Sequence, residues 1–340
     1  MATLLPDYPV AHADTAKPRR IRQVRERPDL IFRGLTRTGG IIVLLIMVLV
    51  AVFLSTQAVT AISSEGLWAF LTTQEWSPET NHFGIAAVLT GTILIALVAL
   101  IVAIPLALGM ALFITEIATG GLRRTLQSTV DLMAAVPSVI YGLWGLYFFE
   151  QAIVPFAVWL NQWFGWIPIF AVSGTDPDNP LPNDALFKSS TLIAGLVVAL
   201  MIVPVMTAMM SESFSRAPIG EREAAYALGA TRWGMIRAVV LPFGKGGIIG
   251  GTMLGLGRAL GETIAIYLII SPLYQISFQI LHKGASSVAA LIATKYGEAN
   301  PFTMSALMAA GLALFIVTMI INFTASTVIA RSRSGAESEA

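Results

Sequence analysis

Five stretches of the chain, residues 39–62, 83–115, 132–149, 190–210 and 302–330, contain no Asp, Glu, Lys or Arg. Each is long enough to cross roughly 30 Å of hydrocarbon as a helix. A sixth, 246–270, is equally apolar except for Arg258 and Glu262. No other feature limits the fold so tightly, because a backbone in lipid has to satisfy its N–H and C=O groups internally. The expected fold class is all-α, a polytopic membrane bundle of six transmembrane helices. Only 12% of the 340 residues are charged, about half the share usual in soluble domains, so lipid is the solvent for most of the chain.

Loop charges set the orientation. With six spans and both ends in the cytoplasm, seventeen of the 21 Lys and Arg fall inside; Lys188, Lys283 and Lys295 fall outside, and Arg258 lies within a span. The positive-inside rule therefore expects both termini to be cytoplasmic. Residues 1–38, with a basic segment from Lys17 to Arg37, read as a topogenic tail that meets lipid headgroups, and 331–340 as a second cytoplasmic tail. The run 39–62 is not read as a signal peptide: its leader is too long, and removing it would leave an odd number of spans. In the outer segment 150–189, residues 151–170 carry Phe156, Trp159, Trp163, Phe164, Trp166 and Phe170 and are expected to form a helix at the outer interface. A polar, proline-broken stretch follows at 173–184. Residues 286–299 are expected to form a short outer helix before Pro301.

Several classes of function are disfavoured. The cations sit at the ends of apolar runs and form no basic stripe for nucleic acid. There is no Cys, and His12, His82 and His282 are too far apart to suggest a local metal motif. An intramembrane hydrolase needs a nucleophile and a base within the bilayer; no His lies in any span, and Glu262 is the only acidic residue clearly inside one. The phosphate-cradling pattern of Gly, four residues, Gly-Lys-Ser/Thr is missing, since Gly244-Lys245-Gly246 lacks both the leading Gly and the hydroxyl. Any ATP-driven work requires a partner.

Between the fourth and fifth apolar runs, residues 217–242 contain Glu223-Ala224-Ala225, then three residues and Gly229, then nine residues and Val239-Val240-Leu241-Pro242. Ala and Leu favour a short helix, Gly229 suits a positive-φ stop, and Pro242 suits the start of the next element. The small side chains leave room for another protein to approach. This spacing resembles the EAA loop of permease subunits of bacterial ABC importers, with Val239 in place of the usual Ile. The resemblance implies the permease fold of type I importers. It also implies that the loop is a coupling helix seated in a cytoplasmic ATPase dimer that uses ATP and Mg, with Glu223, Ala224, Ala225, Leu228 and Gly229 at the contact. No cofactor is expected in this chain.

Arg258 and Glu262 are four residues apart, on one face of any continuous helix. An unpaired charge at mid-membrane costs at least ~3 kcal/mol, so they are expected to pair or to face a polar pathway. In one reading Glu262 neutralises Arg258 at rest and releases it to an incoming anion. A guanidinium suits a tetrahedral oxyanion, because its planar fork donates two parallel hydrogen bonds; phosphate and sulfate both fit. The segment from Gly255 to Thr263 resembles the phosphate-specific ABC importers, particularly their PstC-type permease, and so do Val136 to Gly145 and Ala293 to Glu298. The resemblance runs from about residue 84 to 330. It implies a second, PstA-like permease, an external phosphate-binding protein and phosphate as solute. Thr263, Ser138 and Tyr141 are further candidates on the pathway, although Ser and Tyr in membrane helices usually bond nearby backbone. Gly247, Gly251 and Gly255, with Gly257 and Gly261, offer small-residue faces for close helix packing or for a moving interface with a second permease. Pro105, Pro137 and Pro204 read as packed kinks within spans.

Overall fold

The computed structural model describes residues 27–78, 80, 82–174 and 183–333. Most of the basic tail, the centre of the polar outer stretch and residues 334–340 thus lie outside the described residues. The chain divides into two units, residues 1–50 and 51–340. In the first, residues 27–50 are helical, the opening of α1 (Arg27–Glu65), and the apolar side chains at 41–50 are exposed as lipid-facing groups are.

In the second unit α1 ends and is followed by α2 (Leu67–Thr72) and a small hairpin of β1 (Trp76–Ser77) and β2 (His82–Phe83). Then come α3 (Ala86–Leu112), α4 (Gly120–Ala135), α5 (Ser138–Trp144), α6 (Glu150–Phe164), α7 (Thr191–Ser215), α8 (Ile219–Ala227) and α9 (Arg232–Met235). The chain closes with α10 (Leu241–Leu260), α11 (Ile264–Ile269), α12 (Val288–Lys295) and α13 (Pro301–Arg333). π-helical turns extend α3 through Phe113–Ile117, join α5 to α6 through Gly145–Phe149, and join α9 to α10 through Ile236–Val240. Among the described residues, six helical runs are long and apolar enough to cross a membrane: Leu30–Glu65, Ala86–Ile117, Ser138–Phe164, Thr191–Ser215, Arg232–Leu260 and Pro301–Thr324.

Two of these runs differ from the sequence expectation. The apolar stretch 132–149 is broken near its start: α4 ends at Ala135, Val136 is extended, and the next helix begins after Pro137. Proline removes an N–H and disfavours helix at the residue before it, so Pro137 separates two helices and is not a kink within one. Pro105 and Pro204, by contrast, lie inside α3 and α7. From Ser138 the helix runs without a break to Phe164, so the aromatic segment beginning at residue 151 continues the third run and is not a separate helix. Glu150 hid this continuity, because its charge appeared to end an apolar run. It is buried inside the helix, its Oε2 accepting from the Ser189 N–H at 3.2 Å, so Glu262 is not the only acidic residue within a span.

The second difference is in the Arg258 region. The helix does not run from 246 to 270; it starts at Arg232 and stops at Leu260, and α11 begins at Ile264. Pro242 therefore lies within a continuous helical run. The π turn directly ahead of it widens the backbone where proline can neither donate nor tolerate the preceding carbonyl.

In lipid, helices gain little from hydrophobic exclusion and associate by close packing of small residues. α7 is the most enclosed helix, with α3 and α10 against it. On α10, a Cβ added to Gly247 would sit 2.1 Å from Ser213 Cβ, and one on Gly255 would sit 2.6 Å from Met206 Sδ. Gly251 faces Met206 and Met210. The stripe 247, 251, 255 is thus occupied by α7 of the same chain and is not free for a second permease, whereas Gly246, Gly250 and Gly257 meet nothing within 4 Å. Gly247→Val should therefore lower the thermal unfolding midpoint of the detergent-solubilised chain, by an overpacking cost of about 1–3 kcal/mol. Gly246→Val, one residue away on the open face, should leave it within experimental error.

Candidate functional site

The two helix interruptions lie against each other. A Cβ on Gly142 would be 2.9 Å from the Ala265 Cα and from Leu268, and one on Gly145 would be 2.9 Å from both Ile269 and Val197. These two glycines of α5 and its π turn let α11 lie directly on the helix that starts after Pro137. Gly255, one turn before Arg258, faces Ile202 and Met206 in the middle of α7, which places Arg258 near the middle of the bundle's long axis. Non-helical backbone at that depth is tolerated only where protein or a water-lined cavity satisfies it.

Each interruption is held by a side chain from a recognised motif. At the first, the Tyr141 hydroxyl donates to the Met133 carbonyl at 3.0 Å, beside the Val136 N–H that donates to the same oxygen at 3.3 Å. At the second, Glu262 Oε1 accepts from the Ala265 N–H at 3.1 Å, and the Thr263 hydroxyl donates to the Gly261 carbonyl at 3.2 Å. Gly257 and Gly261 weaken the end of α10, and the Glu262 carboxylate is better satisfied by a free N–H of the next helix than by continuing the first.

Of the two expectations for Arg258 and Glu262, a pair or a polar pathway, the pair is not formed. Arg258 and Glu262 do not share a face of one continuous helix, and Glu262, 8% exposed, spends its carboxylate on α11. Among the described residues no carboxylate lies within ion-pair distance of Arg258. The residue is half-buried, and its Nε is buried without a hydrogen-bond partner. Ser138, half-buried, opens the helix after Pro137. The structure thus gathers Ser138, Tyr141, Arg258, Glu262 and Thr263, from two distant motifs, around two adjoining helix interruptions.

The second candidate region is the loop between α7 and α10. Glu223, Ala224 and Ala225 lie in α8, and Leu228 caps it. Gly229 has φ 83°, with its N–H donating to the Tyr226 carbonyl at 2.9 Å and the Ala230 N–H donating to Ala225 at 3.1 Å. This is a Schellman stop, and the left-handed residue it needs is why glycine stands there. Thr231 then caps α9, its hydroxyl oxygen accepting from the Gly234 N–H at 3.2 Å. The α8 helix buries no residue completely; Glu223, Ala224, Tyr226, Leu228 and Trp233 are exposed, and Leu228 is 89% so.

One pair escaped the sequence reading. Arg222, counted there only as a loop cation, forms an ion pair with Glu116 at the end of α3 at 3.0 Å, and its other Nη donates to the Phe214 carbonyl at 2.6 Å. The residues are 106 positions apart, and the only local sign of their role was an acid directly after a long apolar run.

Residues 103–334 match the family described as binding-protein-dependent transport system inner membrane component. The phosphate transport system permease protein PstC of Pasteurella multocida is 37% identical over 86% of this chain and 89% of its own length. PstC of Xylella fastidiosa is 36% identical over 91% and 93%, and PstC 2 of Mycobacterium tuberculosis 34% over 89% and 92%. Among solved structures, a bacterial ABC transporter involved in the import of the acidic polysaccharide alginate contains a chain that superposes with a TM-score of 0.56 at 16% identity, over 88% of this chain and 97% of that one. The bacterial alginate ABC transporter in complex with alginate pentasaccharide-bound periplasmic protein gives 0.57 at 18% identity, over 88% and 93%; this is a likeness of fold. With six helices able to span a membrane, the chain is a multi-pass membrane protein and belongs to the family of binding-protein-dependent transport system inner membrane components.

Proposed function

We propose that this chain is the pathway subunit of an ATP-driven importer that carries inorganic phosphate across the cytoplasmic membrane, and that Arg258 meets the anion in transit. The observation that carries the reading is an Arg at mid-depth with no acidic partner among the described residues, beside two interrupted helices. Interrupted spans at mid-depth are where membrane transporters place their solutes. The helix that opens at Ser138 presents free N–H groups and the positive end of its dipole, which favours an anion. The PstC relatives, similar over most of their length, support phosphate as that anion.

In this reading both termini face the cytoplasm and α8 docks with a cytoplasmic ATPase dimer, which consumes ATP and Mg and closes on binding nucleotide. An external phosphate-binding protein delivers the solute, and a related PstA-like permease completes the pathway. This chain makes and breaks no covalent bond. Its exposed Glu223, Ala224, Leu228 and Gly229, with half-buried Ala225, form the ATPase contact, which is why α8 keeps almost no buried face of its own.

Uptake of radiolabelled phosphate by vesicles holding the assembled importer tests the solute and the residue together, with sulfate as competitor. Arg258→Gln should cut ATP-dependent uptake about tenfold to a hundredfold, the worth of one or two charged hydrogen bonds, with assembly intact. Uptake that survives the change returns Arg258 to a packing role. Sulfate competing as well as phosphate would make the importer one for oxyanions in general.

The coupling loop is tested through its stop. Gly229→Val forces a β-branched residue into the left-handed region, at a cost of about 1–2 kcal/mol, in open space where nothing else is disturbed. Affinity for the purified ATPase should fall several-fold. Gly220→Ala, in α8 with equal room and ordinary helical geometry, should bind normally.

A further inference from the structure

α8 is joined to the membrane helices along the chain by a few residues on either side, and sideways by one polar junction. Arg222 Nη1 lies 3.0 Å from Glu116 Oε2, and Nη2 donates to the Phe214 carbonyl at 2.6 Å. The Glu116 side chain is 3% exposed and that of Arg222 20%. Glu116 Oε1 and Arg222 Nε are buried without a hydrogen-bond partner among the described residues, so loss of the pair would leave the Glu116 carboxylate unsatisfied. Glu116 belongs to the π turn that ends α3, and Phe214 to the last turn of α7. The Phe214 ring, itself buried, fills the space beside Gly244 in α10, where an added Cβ would collide with it at 2.3 Å. The ends of α3 and α7 thus meet on one side chain of α8, and α10 packs against the Phe214 of that junction.

We infer that the Arg222–Glu116 pair is the link that transmits displacement of α8 to the membrane helices, with Arg222 a positioning residue rather than part of the ATPase contact. This rests on the reading of α8 as the ATPase contact. A planar guanidinium suits the task because it grips a carboxylate and a carbonyl at once, at fixed angles. A lysine would supply the charge without the second grip. A buried pair of this kind is also stiff, since moving either partner alone strands a charge away from water. When α8 is pushed, α3 and α7 therefore move with it instead of letting it pivot on its two short connections.

The chain has no native Cys, so paired labels report the link directly. Spin labels at Ala227→Cys in α8 and Met110→Cys in α3, both at exposed positions, are measured in the complete importer with and without trapped nucleotide. The expected result is an unchanged label separation across the cycle with Arg222 present, and a separation that shifts or broadens on nucleotide trapping in Arg222→Gln. In unlabelled complexes, Arg222→Gln and Glu116→Gln should keep basal ATP hydrolysis while phosphate moved per ATP falls about tenfold, within the range of typical coupling energies. Arg222→Lys should fall between these and wild type, and the exchange Glu116→Arg with Arg222→Glu should recover more transport than either of its single changes. Identical label separations with and without Arg222, or wild-type transport per ATP in both Gln variants, would overturn the inference. So would loss of ATPase association in Arg222→Gln, which would assign Arg222 to holding the docking surface in shape. Crosslinking of Leu228→Cys to the ATPase is read separately: its absence would remove α8 as the contact, and with it the premise of the link.

Discussion

A helix that stops inside a lipid-embedded bundle leaves carbonyls and amides that water cannot reach, and each costs several kcal/mol if left bare. The placement of this chain's motifs follows from how that cost is met. α4 stops at Ala135 because Pro137 cannot extend it, and the Met133 carbonyl, which accepts from the Val136 N–H, also takes the Tyr141 hydroxyl of the next helix. α10 stops at Leu260, and the amide freed at Ala265 is taken by Glu262. Neither solution reaches further than its own break. The breaks become one site only because Gly142 and Gly145 have no side chains, which lets α11 settle on α5. Glycine in the first motif and glutamate in the second are parts of one solution to one problem.

The same constraint accounts for the π turn before α10. The loop between α7 and α10 has to turn into a span without exposing backbone, yet Pro242 stands where an unbroken α-helix would need a donor. Widening Ile236–Val240 by one residue per turn keeps the run from Arg232 to Leu260 continuous. Movement of α9 is therefore movement of α10 as well, with no flexible segment between them. α8 lies on the other side of Gly229 and is tied by Arg222 to α3 and α7. Both halves of the loop are stiffly joined to the bundle, and the turn at Gly229 to Thr231 is where they join each other.

What was legible in the sequence was whatever depends on local order. Uncharged runs mark spans because lipid excludes charge, and Gly229 marks a helix stop because only glycine sits easily at positive φ. The failures share a cause. Arg258 and Glu262 were paired on the assumption that helical spacing continues through 261–263, and spacing cannot report that a carboxylate will prefer the amide of the next helix. Glu150 was taken as the end of a run because its partner, the amide of Ser189, lies 39 residues away. Arg222 counted only as a loop cation for the same reason, its partner Glu116 lying 106 residues away. A charge in an apolar protein is legible as unusual; its partner becomes visible only once the chain has folded.

That Glu262 is spoken for changes what Arg258 is able to do. A guanidinium already paired with a carboxylate would have to give up that partner before greeting an anion, and the exchange would cost nearly what it returned. Arg258 is instead half-buried, with its Nε buried and without a hydrogen-bond partner among the described residues. In the proposed function, an arriving oxyanion satisfies a group that is otherwise short of partners. Conduction also requires that the anion leave, which favours a site with one cation and a few weak donors over a closed cage. Under the proposed function, Ser138 and the open end of its helix are the weak donors of such a site, offering hydrogen bonds without a second positive charge.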